Sequence, residues 1–295
     1  MKSDSSSQAK LGKARAKINL TLHVGRAIAD GRYKGYHPLD SLVVFADVGD
    51  QLSYETGEDD VSLSLSGPFS TALQADDDNL ILKAARTFFK YKKLLPQGHF
   101  HLEKNLPLAS GIGGGSADAA AALRLLQAKF GADDASMMTL CEQIGADVPV
   151  CFLSQTSHMC GIGQEVEIKS KMGALPALLV NPGFAVSTPS IFKAFDGTPQ
   201  KVTPLPQGWG TDLLLTARQG QNDLQPIAIA LRPEIEHLLQ RLMTLPHCQL
   251  ARMSGSGATC FALFETPEQA EIALEIIRGD FPDYWCVATI FGDPS

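Results

Sequence analysis

Four glycines fall within the eleven residues Pro107-Leu108-Ala109-Ser110-Gly111-Ile112-Gly113-Gly114-Gly115-Ser116-Ala117, between a short alternating segment, His99–Lys104, and an alanine-rich one, Ser116–Phe130. Glycine lets the backbone take positive φ and approach a ligand closely, and a helix that starts directly after the loop aims its unpaired N–H groups into it. A strand, a glycine loop and a helix start in this order make an anion site, most naturally one for phosphates. The loop is not of the Walker A type, because no lysine follows the last glycine. Nor is it the dinucleotide fingerprint, because a serine stands where the third glycine belongs and no acidic strand end follows. Ser116 is the expected helix cap, and a plain flexible turn is the alternative reading.

The rest of the chain reads as a mixed α and β protein. Even positions from Ala14 to Val24 are apolar and odd ones polar, the pattern of a half-buried strand with Lys17, Asn19 and Thr21 on its wet face. Further runs at Leu42–Ala46, Gln51–Glu55 and Val61–Ser66 predict a sheet, and Asn79–Leu94 predicts a helix capped by Asp76, Asp77 and Asp78. A third helix is expected at Asp134–Ile144, capped by Asp133 or Asp134, and a short strand at Ala177–Val180. The remainder predicts a helix Gln225–Met243, a glycine loop Ser254–Gly257, a strand Thr259–Phe264, a helix Pro267–Arg278 and a strand Trp285–Phe291, an α+β succession. At 295 residues the chain suits two domains, and the Pro-, Gly- and Ser-rich stretch after Gly161 is the natural divide. The expected organisation is a disordered tail 1–12, a first domain 13–160 and a second 161–295.

Charge and cysteine usage exclude some functions. With 25 basic residues against 32 acidic ones the net charge is -7, which speaks against nucleic-acid or anionic-membrane binding but leaves room for a local basic pocket. The uncharged run Met172–Phe192 is long enough to cross a bilayer, but Pro176, Pro182 and Pro189 interrupt it. Six cysteines without a CxxC pair, and a polar N-terminus without an apolar run, read as reduced thiols of a cytoplasmic protein.

Asp147 in Gly-Ala-Asp147-Val-Pro enters the apolar run Val148–Leu153, so it is either a loop hydrogen-bonding partner or a site carboxylate. Lys17 alone reads equally as a solvated strand lysine. In combination, Lys17-Ile-Asn19-Leu, Gly-Tyr36-His37-Pro, the loop Pro107–Ala117, Gly-Ala-Asp147-Val-Pro and Met-Ser254-Gly-Ser-Gly-Ala resemble the GHMP kinases, from about Lys13 to Phe291. Ser110, where the family usually has Ala or Gly, and a longer segment Ile28–Lys34 depart from its pattern.

The resemblance implies an α+β, two-domain GHMP kinase fold, an ATP-binding domain followed by a smaller ferredoxin-like one, with the active site between them. It implies transfer of the γ-phosphoryl group of ATP, used with Mg²⁺, to a hydroxyl of a cytidine-diphosphate-linked sugar alcohol. Lys17 and Asp147 would be the catalytic pair, and Pro107–Ala117 the ATP loop, with Ser116 a metal contact. Tyr36 and Phe192 would sandwich the cytosine ring, His37 would read its polar edge, and Asn19 and Thr188 would touch the substrate. A monomer or weak homodimer without nucleic-acid or membrane partners is the matching expectation. A GHMP kinase for homoserine or mevalonate, or a non-catalytic nucleotide-binding relative, is the alternative.

Overall fold

A computed structural model describes residues 10–57, 59–76, 78–169, 172–196 and 212–293. The first half opens with strands β1 (Lys10–Asn19), β2 (His23–Val24) and β3 (Leu39–Glu55), the first two antiparallel to the third. Residues 1–9 lie outside the described ones. Of the stretch 1–12 expected as a tail, Lys10, Leu11 and Gly12 belong to β1 and pair with Tyr54, Ser53 and Leu52. The two expected runs at 42–46 and 51–55 are one strand. The register of β1 on β3 slips between Arg15 and Lys17, and at Gly49 a Cβ would lie 2.3 Å from the Ala14 carbonyl oxygen. Only glycine lets the strands pass that closely.

Strand β4 (Ser62–Ser66), helix α1 (Leu80–Lys92) and strand β5 (His99–Glu103) form a parallel crossover. The cap of α1 is Asn79, whose side chain accepts from the Ile81 N–H at 3.0 Å, rather than the acidic cluster before it. Helix α2 (Gly114–Phe130) starts two residues earlier than expected. Gly113, at φ 66°, turns the loop straight into the helix, so Ser116 lies in the first turn and is not the cap. Helix α3 (Asp134–Ile144) is capped by Asp133, and the apolar run after Asp147 is helix α4 (Val148–Leu153). Strands β6 (Ser157–Gly161) and β7 (Glu165–Ile168) make a hairpin paired to β3. A divide at 160/161 would cut that hairpin, and we place the end of the first unit after Ile168.

The second half runs through β8 (Ala174–Asn181), α5 (Thr188–Asp196), α6 (Leu213–Gln219), α7 (Gln225–Leu231), α8 (Glu234–Met243), β9 (Leu250–Met253), β10 (Cys260–Leu263), α9 (Pro267–Asp280) and β11 (Trp285–Gly292). The expected helix 225–243 is two helices, because Arg232, before Pro233, leaves the helical region. The strands lie in the order β11-β8-β10-β9, antiparallel throughout, the ferredoxin-like arrangement. Phe291 of β11 pairs with Ala46 of β3, so the two sheets meet.

Packing ties the halves together. Ala16, Ile18 and Val44 share one buried cluster with Leu179, Phe261 and Phe291. From Ala16 to Val24 both faces of the chain are covered: Lys17 and Asn19 at the end of β1, and Thr21 just after it, are buried, not wet as alternation predicts, whereas Lys13 stays exposed. The six cysteines are free, three buried and three half-buried. Among the described residues no helix is long and apolar enough to cross a membrane; the run 172–192 is β8 and the start of α5.

Candidate active site

A cavity of about 960 Å³ opens where the two halves meet, and the glycine loop forms one wall. Close approach dictates glycine at two facing points. A Cβ on Gly111 would lie 2.6 Å from the Ser254 carbonyl oxygen and 2.7 Å from the Gly257 nitrogen, and one on Gly255 would lie 2.6 Å from the Gly111 oxygen. The loops 107–113 and 254–257 thus lie backbone against backbone. The Thr259 N–H donates to the Ser110 oxygen at 3.1 Å, and the Ser254 hydroxyl donates to Gly111 at 3.2 Å. Asn222 holds the second loop by donating to the carbonyls of Met253 and Gly255, both at 2.8 Å. Ser110 turns its hydroxyl into its own loop, donating to the Pro107 oxygen at 2.7 Å, so this departure from the family pattern leaves the wall intact. The segment Ile28–Lys34 closes on itself through Ile28 N–H to Tyr36 and Gly35 N–H to Ile28.

Of the eleven loop residues, Ile112 and Ala117 are buried away from the cavity and the other nine line it. The N-terminus of α2 faces the opening, which gives the wall free N–H donors and the positive end of a 17-residue helix.

Lys17 and Asp147 meet across this wall. The Lys17 ammonium lies 2.8 Å from Asp147 Oδ2, and the lysine side chain is 5% exposed while the carboxylate is 36% exposed. Lys17 is fixed by its strand, its own N–H donating to the Ile112 oxygen at 2.9 Å. Asp147 holds the N-cap position of α4, yet its side chain caps nothing and turns to the lysine instead. Asn19 donates through Nδ2 to the Ser41 hydroxyl at 2.8 Å, while its buried Oδ1 has no protein partner. A buried orphan acceptor on a cavity wall is a place for a ligand donor.

Tyr36, His37, Thr188 and Phe192 line the other end. The Phe192 ring lies 5.0 Å from that of His37, tilted by 30°, and Tyr36 is 55% exposed at the mouth. His37 Nδ1 is 2.8 Å from the Gly25 oxygen; a carbonyl only accepts, so Nδ1 carries the proton and the other ring nitrogen is the acceptor in the neutral ring. The Thr188 and Ser256 hydroxyls are 2.8 Å apart and join α5 to the second glycine loop.

Sequence reasoning missed a buried triad beneath the loop. Lys104 Nζ lies 2.6 Å from both Asp50 Oδ2 and Asp118 Oδ2, and Asp50 Oδ1 also accepts from the N–H groups of Asn105 and Leu106. Lys104 and Asp118 line the cavity. Burial pushes the Asp118 carboxyl up to about 8 against the pull of the Lys104 ammonium, and its Oδ1 has no protein partner. Burial opposes the charge on Lys104 too, but the two carboxylates outweigh it and hold the ammonium above its usual range. The signal was available: Asp118 is the one charged residue in the run Ala117–Ala122.

A glycine-loop wall at a helix start, a buried lysine on a carboxylate and a two-halved α+β frame suit a small-molecule phosphotransferase. Residues 79–155 match the GHMP kinases N terminal domain and residues 208–283 the GHMP kinases C terminal domain. A 4-diphosphocytidyl-2-C-methyl-D-erythritol kinase of Dinoroseobacter shibae is 45% identical over 289 residues, 95% of this chain and 94% of that one. One of Cereibacter sphaeroides is 49% identical over 285 residues, 92% and 95% of the two chains. A crystal structure of 4-(cytidine 5'-diphospho)-2C-methyl-D-erythritol kinase superposes with a TM-score of 0.78 at 29% identity, over 97% of this chain and 100% of that one. The chain belongs to the GHMP kinases, among the relatives that carry this name, and is a phosphotransferase with an alcohol acceptor.

Proposed function

We propose that the chain transfers the γ-phosphoryl group of ATP to the 2-hydroxyl of 4-diphosphocytidyl-2-C-methyl-D-erythritol, a step of non-mevalonate isoprenoid precursor synthesis. The observation that carries this reading is the Lys17–Asp147 pair placed between the glycine wall and the Tyr36, His37 and Phe192 end of one cavity. Phosphoryl transfer has a loose transition state, so the protein acts by positioning and by charge compensation. The loop N–H groups and the start of α2 cradle the phosphates. Asp147 orients the substrate hydroxyl and accepts its proton. Lys17 holds the carboxylate in place and offsets charge on the moving group.

Tyr36 and Phe192 clamp the cytosine ring, and the unprotonated nitrogen of His37 accepts from its amino group, which supplies the base selectivity that stacking lacks. The orphan Asn19 Oδ1 receives a substrate hydroxyl, and Thr188 lies along the same path. Mg²⁺ favours hard oxygen donors and keeps part of its water shell. The Ser116 hydroxyl in the first turn of α2 and the half-exposed Asp147 carboxylate fit that demand, with the phosphates completing the set. When bound, the ion neutralises phosphate charge. A coupled ADP-release assay tests the reading: the cytidyl-linked alcohol should turn over, and the same alcohol without its cytidyl group, homoserine and mevalonate should not. Equal rates with and without the cytidyl group contradict it.

A further inference from the structure

On β3 and β6, side chains alternate between two faces. Leu39 and Met159 line the cavity, so their neighbours Asp40, His158 and Cys160 project to the opposite face. There they converge. His158 Nε2 lies 2.6 Å from Asp40 Oδ1 and 3.2 Å from Cys160 Sγ, and one ligand atom from each of the three lies within 4.8 Å of the others. The register explains the grouping: Cys160 stands directly opposite Asp40, and His158 is two residues along the same strand.

We propose that Asp40, His158 and Cys160 form a site for a thiophilic divalent cation of the Zn²⁺ class, separate from the kinase cavity. A sulfur, an imidazole nitrogen and a carboxylate oxygen are the mixed donor set that selects Zn²⁺ or Co²⁺ over Mg²⁺. Metal–ligand bonds of about 2.0–2.3 Å in a tetrahedron set the ligand atoms roughly 3.3–3.8 Å apart. The ion therefore takes the place of the hydrogen between His158 Nε2 and Asp40, and that proton passes to His158 Nδ1 or, from a charged ring, to the buffer. Through side-chain rotation the Asp40 contact opens by about 1 Å and the 3.2 Å contact to Cys160 Sγ by roughly a few tenths of an ångström. Charge favours it as well. On β7, Glu165 stands opposite Cys160 and Glu167 opposite His158, and Lys169, bonded to Glu167 at 2.5 Å, supplies the compensating cation. On β2, His23 stands opposite Asp40. Burial and the Asp40, Glu165 and Glu167 carboxylates push the Cys160 thiol up to about 11, so binding at neutral pH releases its proton to the buffer. The fourth position is left to water or to Glu165.

The test is a Co²⁺ titration of the full chain after chelator treatment, followed by absorbance. The expected result is one equivalent of Co²⁺ giving a thiolate-to-cobalt charge-transfer band with tetrahedral d–d bands. Zn²⁺ should abolish the bands, and excess Mg²⁺ should leave them. Cys160→Ser should remove the charge-transfer band, and His158→Ala should weaken binding at least about tenfold. Both variants should keep wild-type kinase activity, which reports that they are folded. Absence of the band in the wild type, its persistence in Cys160→Ser, or Co²⁺ binding unchanged in His158→Ala overturns the site.

Discussion

Asp118 shares one buried ammonium with Asp50, and burial pushes its carboxyl up to about 8 where an unfolded chain releases the proton near 3.8. Between those values the folded state holds the extra proton, so stability falls as pH rises through this window, by at most about 1.4 kcal/mol per pH unit. Asp118→Asn keeps the shape and removes the titration. Urea unfolding from pH 5 to pH 8.5 should show a declining free energy for the wild type and a flatter one for the variant, and parallel curves contradict the assignment. A second residue concerns the base. If Phe192 stacks on cytosine, Phe192→Ala should cost on the order of 1–3 kcal/mol of cytidyl-substrate affinity and leave ATP affinity almost unchanged in calorimetric titrations. Equal losses for both ligands indicate packing against His37 alone. That Lys17, Asn19 and Asp147 belong together could be read from the sequence because their neighbours form motifs, and the three do line one cavity. Lys104 and Asp50 were not, because a lysine at the end of an expected strand and an aspartate between two expected strand runs look solvated until the fold buries them against each other.

Among the elements, the glycine loop was the most legible, and its partner loop explains the glycine at position 111. Gly111, at φ 76°, sits against the backbone of residues 254–257, so Gly111→Ala both forces a strained conformation and separates the loops. The left-handed conformation alone costs roughly 1–2 kcal/mol. The variant should melt several degrees lower and show a raised KM for ATP; wild-type melting and ATP kinetics contradict the loop-to-loop contact. Elements were misread where the deciding partner is distant. Alternation in 14–24 predicted a wet face, but Lys17 and Asn19 of β1 line a cavity closed by the second half, whereas Lys13, earlier in the strand, stays exposed. Local composition also made Asp76–Asp78 look like the cap of α1, and only the chain path shows that Asn79 bonds the helix. Pro233 carried enough information to divide α7 from α8, since the residue before a proline resists helix.

For the whole molecule, the groups proposed to carry the chemistry come from far apart in the chain: Lys17 from β1, Asp147 from the start of α4, Thr188 from α5 and Ser254–Gly257 from the loop between β9 and β10. The shared core of Ala16, Ile18, Leu179 and Phe261 fixes these elements relative to each other, so the cavity is built by the fold rather than by one loop. The family motifs made that convergence readable in the sequence, whereas the end of the first unit after β7 depends on hairpin pairing that composition does not reveal. The central claim is that Asp147, held by Lys17, positions the acceptor hydroxyl. Single-turnover transfer of labelled phosphate from ATP to 4-diphosphocytidyl-2-C-methyl-D-erythritol, at saturating concentrations of both, tests it most directly. Asp147→Asn keeps the size and loses the charge, and should slow transfer by roughly 10²–10⁴-fold while substrate binding survives. An Asp147→Asn enzyme that transfers phosphate within a few-fold of the wild-type rate contradicts the account.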